Sequence, residues 1–241
     1  MAIALQLHSL RHEAATDPEG IVRQVPSLGF DSVEIASTYG WSADQWKRIL
    51  AETTLGIVGA HIGLEALEKE WDALTAFHRT IGNRRLVVPS LPNSLRTAEG
   101  FSEAARRLTM LGTRVKSEGF TLFYHNHAYE FAPVAGDRCG MDILLAETDP
   151  QFLSLEVDTY WVERGGRISH EFIQQNAARI GMIHAKEFRH DGRDVPAGQG
   201  DVHWRIIVPL ARSHDWPVIV EYEAEDPLVA VAASARYLRE L

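Results

Sequence analysis

The sequence predicts an α/β protein with a single domain, residues 1–241, folded as a closed (β/α)8 barrel of the TIM type. Eight short segments rich in β-branched and aromatic residues recur along the chain, and a polar, helix-forming stretch follows each of them. Glycines stand before or at the start of several of these segments, as expected where a helix ends and a strand begins. Alternating strands and helices form a parallel sheet, and 241 residues suffice for eight such units closed into a barrel.

The predicted strands and helices follow one another in regular order. Side chains that can cap the free N–H groups of a helix precede four of the polar stretches, at Asp17, Ser42, Thr97 and Asp226. An open, doubly wound sheet is the structural alternative, but the G-x-G-x-x-G turn that usually accompanies it is missing after the first strand. The eight predicted strands are residues 3–8, 32–37, 57–62, 85–90, 120–127, 152–158, 180–186 and 217–223.

Composition and charge exclude several classes of protein. With 24 basic and 33 acidic residues the formal net charge is −9, which disfavours non-specific binding to nucleic acid. The one cysteine, Cys139, excludes an intrachain disulfide framework and a cysteine-rich metal site. No segment approaches the run of about 20 apolar residues that a membrane helix needs, and the N-terminus resembles a strand rather than a signal peptide. We therefore expect a cytoplasmic protein without a nucleic-acid or membrane partner; whether it forms a homo-oligomer is left open.

Almost every predicted strand ends in a polar or charged side chain. Five of the 11 histidines lie at these ends, although strand ends are a small part of the chain. In a barrel the carboxyl ends of all strands surround one mouth, where this fold keeps its active site, so we expect these side chains to converge. They are His8, Glu34, His61, His125, His127, Asp158, His184, Lys186, Glu221 and Glu223.

Residues two apart on a strand share a face, and this narrows the set to a candidate metal site of two imidazoles and two carboxylates. Such a mixed nitrogen and oxygen set suits Mn²⁺, the ion we expect, or Zn²⁺, Co²⁺ or Fe²⁺. The alternative, a metal-free polar network, is less favourable because buried unpaired carboxylates are costly. Glu156, one pleat further inside, is expected to be a structural carboxylate bonded to Gln6. The four candidate ligands are His125, Asp158, His184 and Glu221.

Eight segments form a recognisable set that occurs in one order over nearly the whole chain. They are QLHSLR (6–11), GFDSVEIA (29–36), AHIGLE (60–65), YHNHAYEF (124–131), LEVDTYW (155–161), HAKEF (184–188), GQGDVHW (198–204) and IVEYE (219–223). Together they resemble the xylose-isomerase-like TIM-barrel superfamily of sugar isomerases, epimerases and related lyases. More narrowly, the sequence resembles the branch generally labelled sugar phosphate isomerase/epimerase.

The resemblance implies a divalent metal held by a Glu after strand five, an Asp after strand six, a His after strand seven and a Glu after strand eight. The last three correspond to Asp158, His184 and Glu221. The strand-five position is His125, which departs from the common Glu, so Glu130, five residues further on, is an alternative fourth ligand.

The resemblance also implies a reaction on a ketose or keto-sugar through an enediolate. A metal ion with open positions can chelate a carbonyl and its neighbouring hydroxyl and stabilise the enediolate. A carboxylate must collect the carbon-bound proton, and Glu221 is the candidate base. His125, His127 or Glu130 could serve the opposite side, and Lys186 could hold a substrate oxygen.

Four further residues are expected to bind substrate. Glu34 and His61 are candidates for contacts with sugar hydroxyls, and Trp161 for a flat apolar wall. His8 stands where this branch often has Tyr, and Trp161 where many relatives carry His.

Four functions follow as alternatives. The first is a metal-dependent isomerase or epimerase. The second is a metal-dependent lyase or dehydratase of an inosose or 3-keto-glycoside, which the departures at His125 and Trp161 make a serious rival. An endonuclease-IV-like repair enzyme is disfavoured by the charge of −9, and a non-catalytic sugar-binding barrel would hold no metal. The remaining histidines are expected in solvated positions: His12, His78, His170, His190, His203 and His214.

Overall fold

The computed structural model describes residues 1–189 and 191–241 and confirms the predicted (β/α)8 fold. Within these residues, eight parallel strands follow one another around a closed barrel, and the first strand pairs with the last, with Ile3 opposite Val218. His190, expected in a solvated position, lies outside the described residues. The strands are β1 (Ile3–Gln6), β2 (Ser32–Ile35), β3 (Gly56–His61), β4 (Arg85–Val88), β5 (Thr121–His125), β6 (Ser154–Asp158), β7 (Ile180–Ala185) and β8 (Val218–Val220).

Helices connect consecutive strands on the outside of the barrel. Two short antiparallel hairpins lie in the loops after β5 and β7, pairing Pro133–Ala135 with Arg138–Cys139 and Glu187–Phe188 with Asp194–Val195. Among the described helices, none combines the length and the hydropathy that crossing a bilayer requires. The helices are α1 (Arg11–Ala14), α2 (Pro18–Gln24), α3 (Ala43–Thr53), α4 (Leu64–Lys69), α5 (Trp71–Thr80), α6 (Ala98–Ser117), α7 (Gly140–Glu147), α8 (Thr159–Arg164), α9 (Ser169–Gln175), α10 (Trp204–Ser213) and α11 (Pro227–Glu240).

Side-chain caps confirm three of the predicted helix starts. Asp17 Oδ1 and Thr97 Oγ1 each accept a hydrogen bond from the backbone N–H three residues later, at 2.8 and 3.1 Å. Ser42 and Gln45 form a capping box, in which each side chain accepts from the backbone N–H of the other. Asp226 precedes α11, but within the described residues its side chain makes no such bond. A cap of this kind contributes about 1 kcal/mol to helix stability.

The barrel interior changes from apolar to titratable along its axis. Its lower part is filled by a small apolar cluster to which six strands contribute one side chain each: Ala4, Val58, Val87, Phe123, Met182 and Ile219. A larger apolar core lies between the strands and the helices. Because alternate residues of a strand point the same way, the next inward positions form the layer above this cluster. They are polar in four of the six strands: Gln6, His125, His184 and Glu221.

Seven of the eight predicted strands extend too far at their carboxyl ends; the sixth ends at Asp158 as predicted. β1 ends at Gln6 rather than at residue 8, because Leu7–Leu10 form a 3-10 helix, and β8 ends at Val220 rather than at residue 223. The polar residues beyond these points continue the alternating pattern, but their backbone has left the sheet. Side-chain alternation therefore predicts which face a residue occupies better than it predicts where the strand ends.

The prediction that His78 is solvated is wrong. Its side chain is buried on the inner face of α5, at helical spacing from Trp71 and Thr75. Its Nδ1 accepts a hydrogen bond from Asn83 Nδ2 at 3.1 Å. Of the other described histidines predicted to be solvated, His12, His203 and His214 are exposed, and His170 is half-buried.

Candidate metal centre and active site

The carboxyl ends of the barrel strands surround a pocket of about 500 Å³. Three of the predicted site residues, Glu34, Asp158 and His184, are fully buried and do not line this pocket. Glu130 is also buried, in the loop that follows β5. The predicted site residues that line the pocket are His8, His61, His125, His127, Trp161, Lys186 and Glu221.

Four of the predicted side chains each bring one ligand atom to within 4.8 Å of the others. This set, the outer group, consists of His125 at the end of β5, Asp158 at the end of β6, His184 on β7 and Glu221 directly after β8. His184 Nδ1 lies 2.9 Å from Glu221 Oε2 and 3.9 Å from Asp158 Oδ2. His125 Nε2 lies 4.0 Å from Asp158 Oδ2. Two imidazoles and two carboxylates at this spacing are a donor set that divalent transition metals accept.

Asp158 is held so that one of its oxygens remains available. Its Oδ1 accepts from the backbone N–H of Trp161 at 3.0 Å, and Asn126 bonds to both its backbone N–H and its C=O. Its Oδ2 is buried and has no hydrogen-bond partner among the described residues. Burial and, less strongly, the charge of Glu221 raise the pKa of Asp158 to about 7, against the opposing charge of Lys186. A buried carboxylate oxygen without a partner, facing two imidazoles, fits a divalent cation.

The other members of the outer group differ in charge. Burial lowers the pKa of His125 to about 3, so its imidazole is neutral at pH 7, the form that binds a metal ion. Although burial alone would lower the pKa of His184, the surrounding carboxylates, led by Glu156, raise it well above its usual range. Burial alone would raise the pKa of Glu221, but the hydrogen bond from His184 and the charge of Lys186 hold it well below its usual range. At pH 7 the outer group therefore combines a neutral imidazole on His125, an imidazolium on His184 and an ionised carboxylate on Glu221.

A second set of polar side chains, the inner group, adjoins the outer group across the barrel: Gln6 on β1, Glu34 on β2, His61 at the end of β3 and Glu156 on β6. Glu34 Oε2 accepts from Gln6 Nε2 at 2.8 Å and lies 2.7 Å from His184 Nε2. The hydrogen bond that we expected Gln6 to offer to Glu156 therefore goes to Glu34. Burial alone would lower the pKa of His61, but the charges of Glu34 and Glu156 raise it to about 10. His61 is thus an imidazolium that balances part of their charge.

Lys186 connects the outer group to the rim of the pocket. Its Nζ donates to Glu221 Oε1 at 3.4 Å and to Glu223, and lies 5.1 Å from the centre of the Trp161 ring. Burial alone would lower the pKa of Lys186, but the neighbouring carboxylates, led by Glu221, raise it. Hydrogen bonds from His8 and Lys186 lower the pKa of Glu223 to about 2. These side chains form a continuous ion-paired border on one side of the pocket.

Glu130 does not join the outer group. In the turn after β5 its carboxylate accepts from the Tyr124 hydroxyl at 2.5 Å and from the backbone N–H of His127 at 2.8 Å, and burial raises its pKa to about 7. The group of potential ligands formed by the described residues contains His125 instead. His127 reaches the pocket, with its ring 5.2 Å from that of Trp161 and its buried Nδ1 without a described partner. Burial lowers the pKa of His127 to about 4.

Sequence reasoning missed Asn126, which holds the backbone of Asp158. The two residues are 32 positions apart, and only the pairing of β5 with β6 brings them together. The one available signal was an amide residue between His125 and His127 at the end of a buried strand. Sequence reasoning also missed the contacts that Glu156 makes with imidazoles on three strands.

Comparison with known families identifies the family to which this barrel belongs. Residues 22–241 match the family described as xylose isomerase-like TIM barrel. The chain belongs to this family. The family expected from the sequence motifs is thereby confirmed. No curated protein matches the sequence.

Solved structures with a similar fold extend over nearly the whole chain. A sugar phosphate isomerase/epimerase from Parabacteroides distasonis has a TM-score of 0.86 at 23% identity, covering 99% of this chain and 98% of that one. The probable 3-DHS dehydratase AsbF of Bacillus anthracis has a TM-score of 0.79 at 16% identity, covering 99% of each chain. The 3-keto-D-glucoside 4-epimerase of E. coli has a TM-score of 0.66 at 20% identity, covering 100% of each chain. At these identities the similarity concerns the fold.

Proposed function

We propose that this protein is a divalent-metal-dependent sugar isomerase or epimerase that acts on a ketose or keto-sugar through an enediolate. The observation that carries the proposal is the outer group, whose four ligand atoms lie within 4.8 Å of one another, with Asp158 Oδ2 buried and without a described partner. Mn²⁺ is the expected ion, and Zn²⁺, Co²⁺ and Fe²⁺ are alternatives. The names of two structures with a similar fold, a sugar phosphate isomerase/epimerase and a 3-keto-D-glucoside 4-epimerase, support this choice of reaction.

In this proposal the outer group holds the ion, and other groups of the chain move the proton. A bound divalent ion supplies Lewis acidity toward a carbonyl and its neighbouring hydroxyl. Glu221 Oε1 accepts the proton of the carbon next to the carbonyl; the C–H electron pair forms the C=C bond and the carbonyl π pair moves to the carbonyl oxygen, which gives the enediolate. Lys186 Nζ, 3.4 Å from Glu221 Oε1, donates a hydrogen bond to a substrate oxygen.

The fate of the enediolate depends on which group returns the proton. In an isomerisation, Glu221 returns it to the former carbonyl carbon, while the proton of the neighbouring hydroxyl passes to the former carbonyl oxygen and a new carbonyl forms at the neighbouring carbon. In an epimerisation, a second group delivers a proton to the other face, and His127, which lines the pocket with an unpartnered buried nitrogen in the described structure, is the candidate. We assign Glu130 to holding the backbone of His127, because its carboxylate is already bonded there and to Tyr124.

Charge at the pocket supports an unphosphorylated sugar as substrate. Among the described residues that line it, Lys186 is the one Lys or Arg, and it is paired with Glu221 and Glu223. His8 is paired with Glu223 as well, at 3.2 Å. A phosphate dianion would therefore meet no unpaired lysine or arginine there. His8 and His61 remain the candidates for sugar hydroxyls and Trp161 for the wall, whereas Glu34 is assigned to holding the imidazoles from below.

A metal-dependent lyase or dehydratase of an inosose or 3-keto-glycoside is the second candidate. It is favoured by the direct contact between Glu221 and Lys186, which places a base beside an ammonium group. In an elimination Glu221 would take the carbon-bound proton, and Lys186 would protonate the leaving hydroxyl or glycosyl oxygen as its bond to carbon breaks. A probable dehydratase has a similar fold.

The experiment is incubation of the Mn²⁺-reconstituted protein with unphosphorylated ketoses and 3-keto-glycosides in deuterated water, with the corresponding sugar phosphates in parallel. Deuterium in a product of unchanged formula is expected for isomerisation or epimerisation. Loss of water or of the aglycone would favour the lyase instead. Elemental analysis that finds no bound Mn²⁺, Zn²⁺, Co²⁺ or Fe²⁺ after reconstitution would contradict the metal site.

The base assignment has its own variant and control. Glu221→Gln keeps the size of the side chain but removes the basic carboxylate, so we expect deuterium exchange to be lost with the circular dichroism spectrum unchanged. Glu225→Gln changes an exposed carboxylate four residues further on and should exchange at the wild-type rate. Wild-type exchange in Glu221→Gln would remove Glu221 from the mechanism.

A further inference from the structure

One buried carboxylate oxygen receives imidazole nitrogens from three strands. Glu156 Oε1 lies 2.9 Å from His61 Nε2, 2.9 Å from His125 Nδ1 and 3.1 Å from His184 Nε2. Glu156 is fully buried on β6, one pleat below Asp158, and its Oε2 has no partner among the described residues. The three described imidazole contacts of the Glu156 side chain are therefore all made by one oxygen, Oε1.

The two histidines of the outer group turn different nitrogens toward Glu156. His125 presents Nδ1 to it and Nε2 to Asp158 Oδ2. His184 presents Nε2 to it and Nδ1 to the outer carboxylates Asp158 and Glu221. The two rings come from strands that pair with opposite edges of β6, and they lie edge to face with their centres 4.6 Å apart.

A carboxylate accepts hydrogen bonds and donates none, so the ring nitrogens that face Glu156 carry protons. A divalent ion that binds a histidine replaces the proton on the nitrogen that faces it, so the ligand imidazole is then neutral, with one N–H on its other nitrogen. A histidine that binds a metal typically donates its second ring N–H to a carboxylate, which fixes the tautomer and the orientation of the ring.

We propose that Glu156 is a positioning residue that fixes the tautomer of His125 and, together with Glu34, the opposite tautomer of His184, so that His125 offers Nε2 and His184 offers Nδ1 to the metal ion. This inference rests on the metal site of the proposed function. Glu34 supports the same choice at His184, because its Oε2 lies 2.7 Å from His184 Nε2. His125 is different: Glu156 is its one partner in the inner group.

A second cation among His61, His125, Glu156 and His184 is the competing interpretation, since these residues also bring ligand atoms to within 4.8 Å of one another. Hydrogen bonds of 2.9 Å join His61 Nε2 and His125 Nδ1 to Glu156 Oε1, and His184 Nε2, which is hydrogen-bonded to Glu34 Oε2 at 2.7 Å, lies 3.1 Å from the same Glu156 oxygen. The geometry therefore favours protons over a metal ion at this level of the barrel.

The test is histidine nitrogen NMR of the full chain loaded with Zn²⁺, together with zinc titrations. In the wild type we expect one zinc per chain, His125 bound through Nε2 with a proton on Nδ1, and His184 bound through Nδ1 with a proton on Nε2. In Glu156→Leu we expect His125 to lose its tautomer preference and His184 to keep it through Glu34. Zinc should bind this variant about 10–100-fold more weakly.

Two further variants separate positioning from a general loss of structure. Glu156→Gln retains an acceptor oxygen, so both tautomers should persist with a smaller loss of zinc affinity. Glu187→Gln is the matched control: this carboxylate is equally buried near the end of β7, but it bonds to Gly198, Val202 and Trp204 and to no described imidazole. Its zinc affinity should stay within twofold of the wild type.

The outcomes against the inference are distinct. Coordination of both histidines through the same type of nitrogen, two zinc ions per chain, or wild-type affinity and tautomers in Glu156→Leu would overturn the role of Glu156 and leave the proposed metal site standing. If Glu156→Leu does not fold, the wild-type spectrum and Glu156→Gln decide. Failure of the wild type to bind zinc or any other divalent ion would overturn both this role and the proposed function.

Discussion

Burial of His78 makes the stability of this protein depend on pH in a way that can be calculated. The side chain is 3% exposed, and burial lowers its pKa from 6.5 to about 4. The unfolded chain takes up the proton near pH 6.5, whereas the folded chain resists it until about pH 4. Stability is therefore present above pH 6.5 and is lost as the pH falls through this window. For these two pKa values the loss between pH 7 and pH 5 is about 2 kcal/mol.

The perturbation is His78→Asn, which removes the titrating ring but keeps an acceptor for Asn83. We expect the variant to be less stable than the wild type at pH 7, and the difference to shrink by about 2 kcal/mol at pH 5. Urea denaturation in the presence of a chelator, with linear extrapolation at each pH, measures the free energy of unfolding of each protein. The difference between the two proteins isolates His78, because the titration of all other groups is common to both. His12→Asn, at an exposed position, is the control and should run parallel to the wild type. Parallel curves for His78→Asn and the wild type would refute the reasoning.

Three further predictions concern the scaffold of the site. Asn126→Asp loses the donor to the backbone carbonyl of Asp158 and adds a carboxylate beside it, so urea denaturation should show a loss of about 1–3 kcal/mol, with weaker zinc binding. Gly112→Ala in α6 would place a Cβ 2.2 Å from the backbone oxygen of Phe152, and we expect a lower melting temperature corresponding to about 1–3 kcal/mol. Glu187→Gln loses one acceptor in a carboxylate that binds two backbone amides and an indole N–H, so the free energy of unfolding should fall by about 1–3 kcal/mol, whereas zinc affinity should not change.

Much of the fold follows from patterns that are local in the chain. Segments of alternating and helical periodicity need only their own residues to be recognised, and the caps at Ser42 and Thr97 involve residues three positions apart. Strand ends were less predictable. The side chains of His8 and Glu223 continue the alternation of β1 and β8, but the backbone there has already turned away from its neighbours.

Whether a single polar residue is buried or exposed could not be predicted from local patterns, because it depends on tertiary packing. The position of His78 at helical spacing from Trp71 was visible in the sequence, but whether that face is covered depends on what lies against it. Spacing also made Glu130 a plausible ligand, five residues after His125. The turn after β5 folds its carboxylate back under Tyr124, which alternation along a strand cannot predict.

The sequence by itself determined that eight βα units close into a barrel and that imidazoles and carboxylates gather at its mouth, because alternation fixes the face of each side chain and the barrel collects the strand ends. Only the tertiary structure decided which of these groups touch. Glu34 and His184 are 150 residues apart and meet across the barrel. The two ligand histidines turn opposite nitrogens toward Glu156, and their strands pair with the two edges of β6. Strand neighbours and ring orientations are properties of the closed barrel, and no local pattern in the chain contains them.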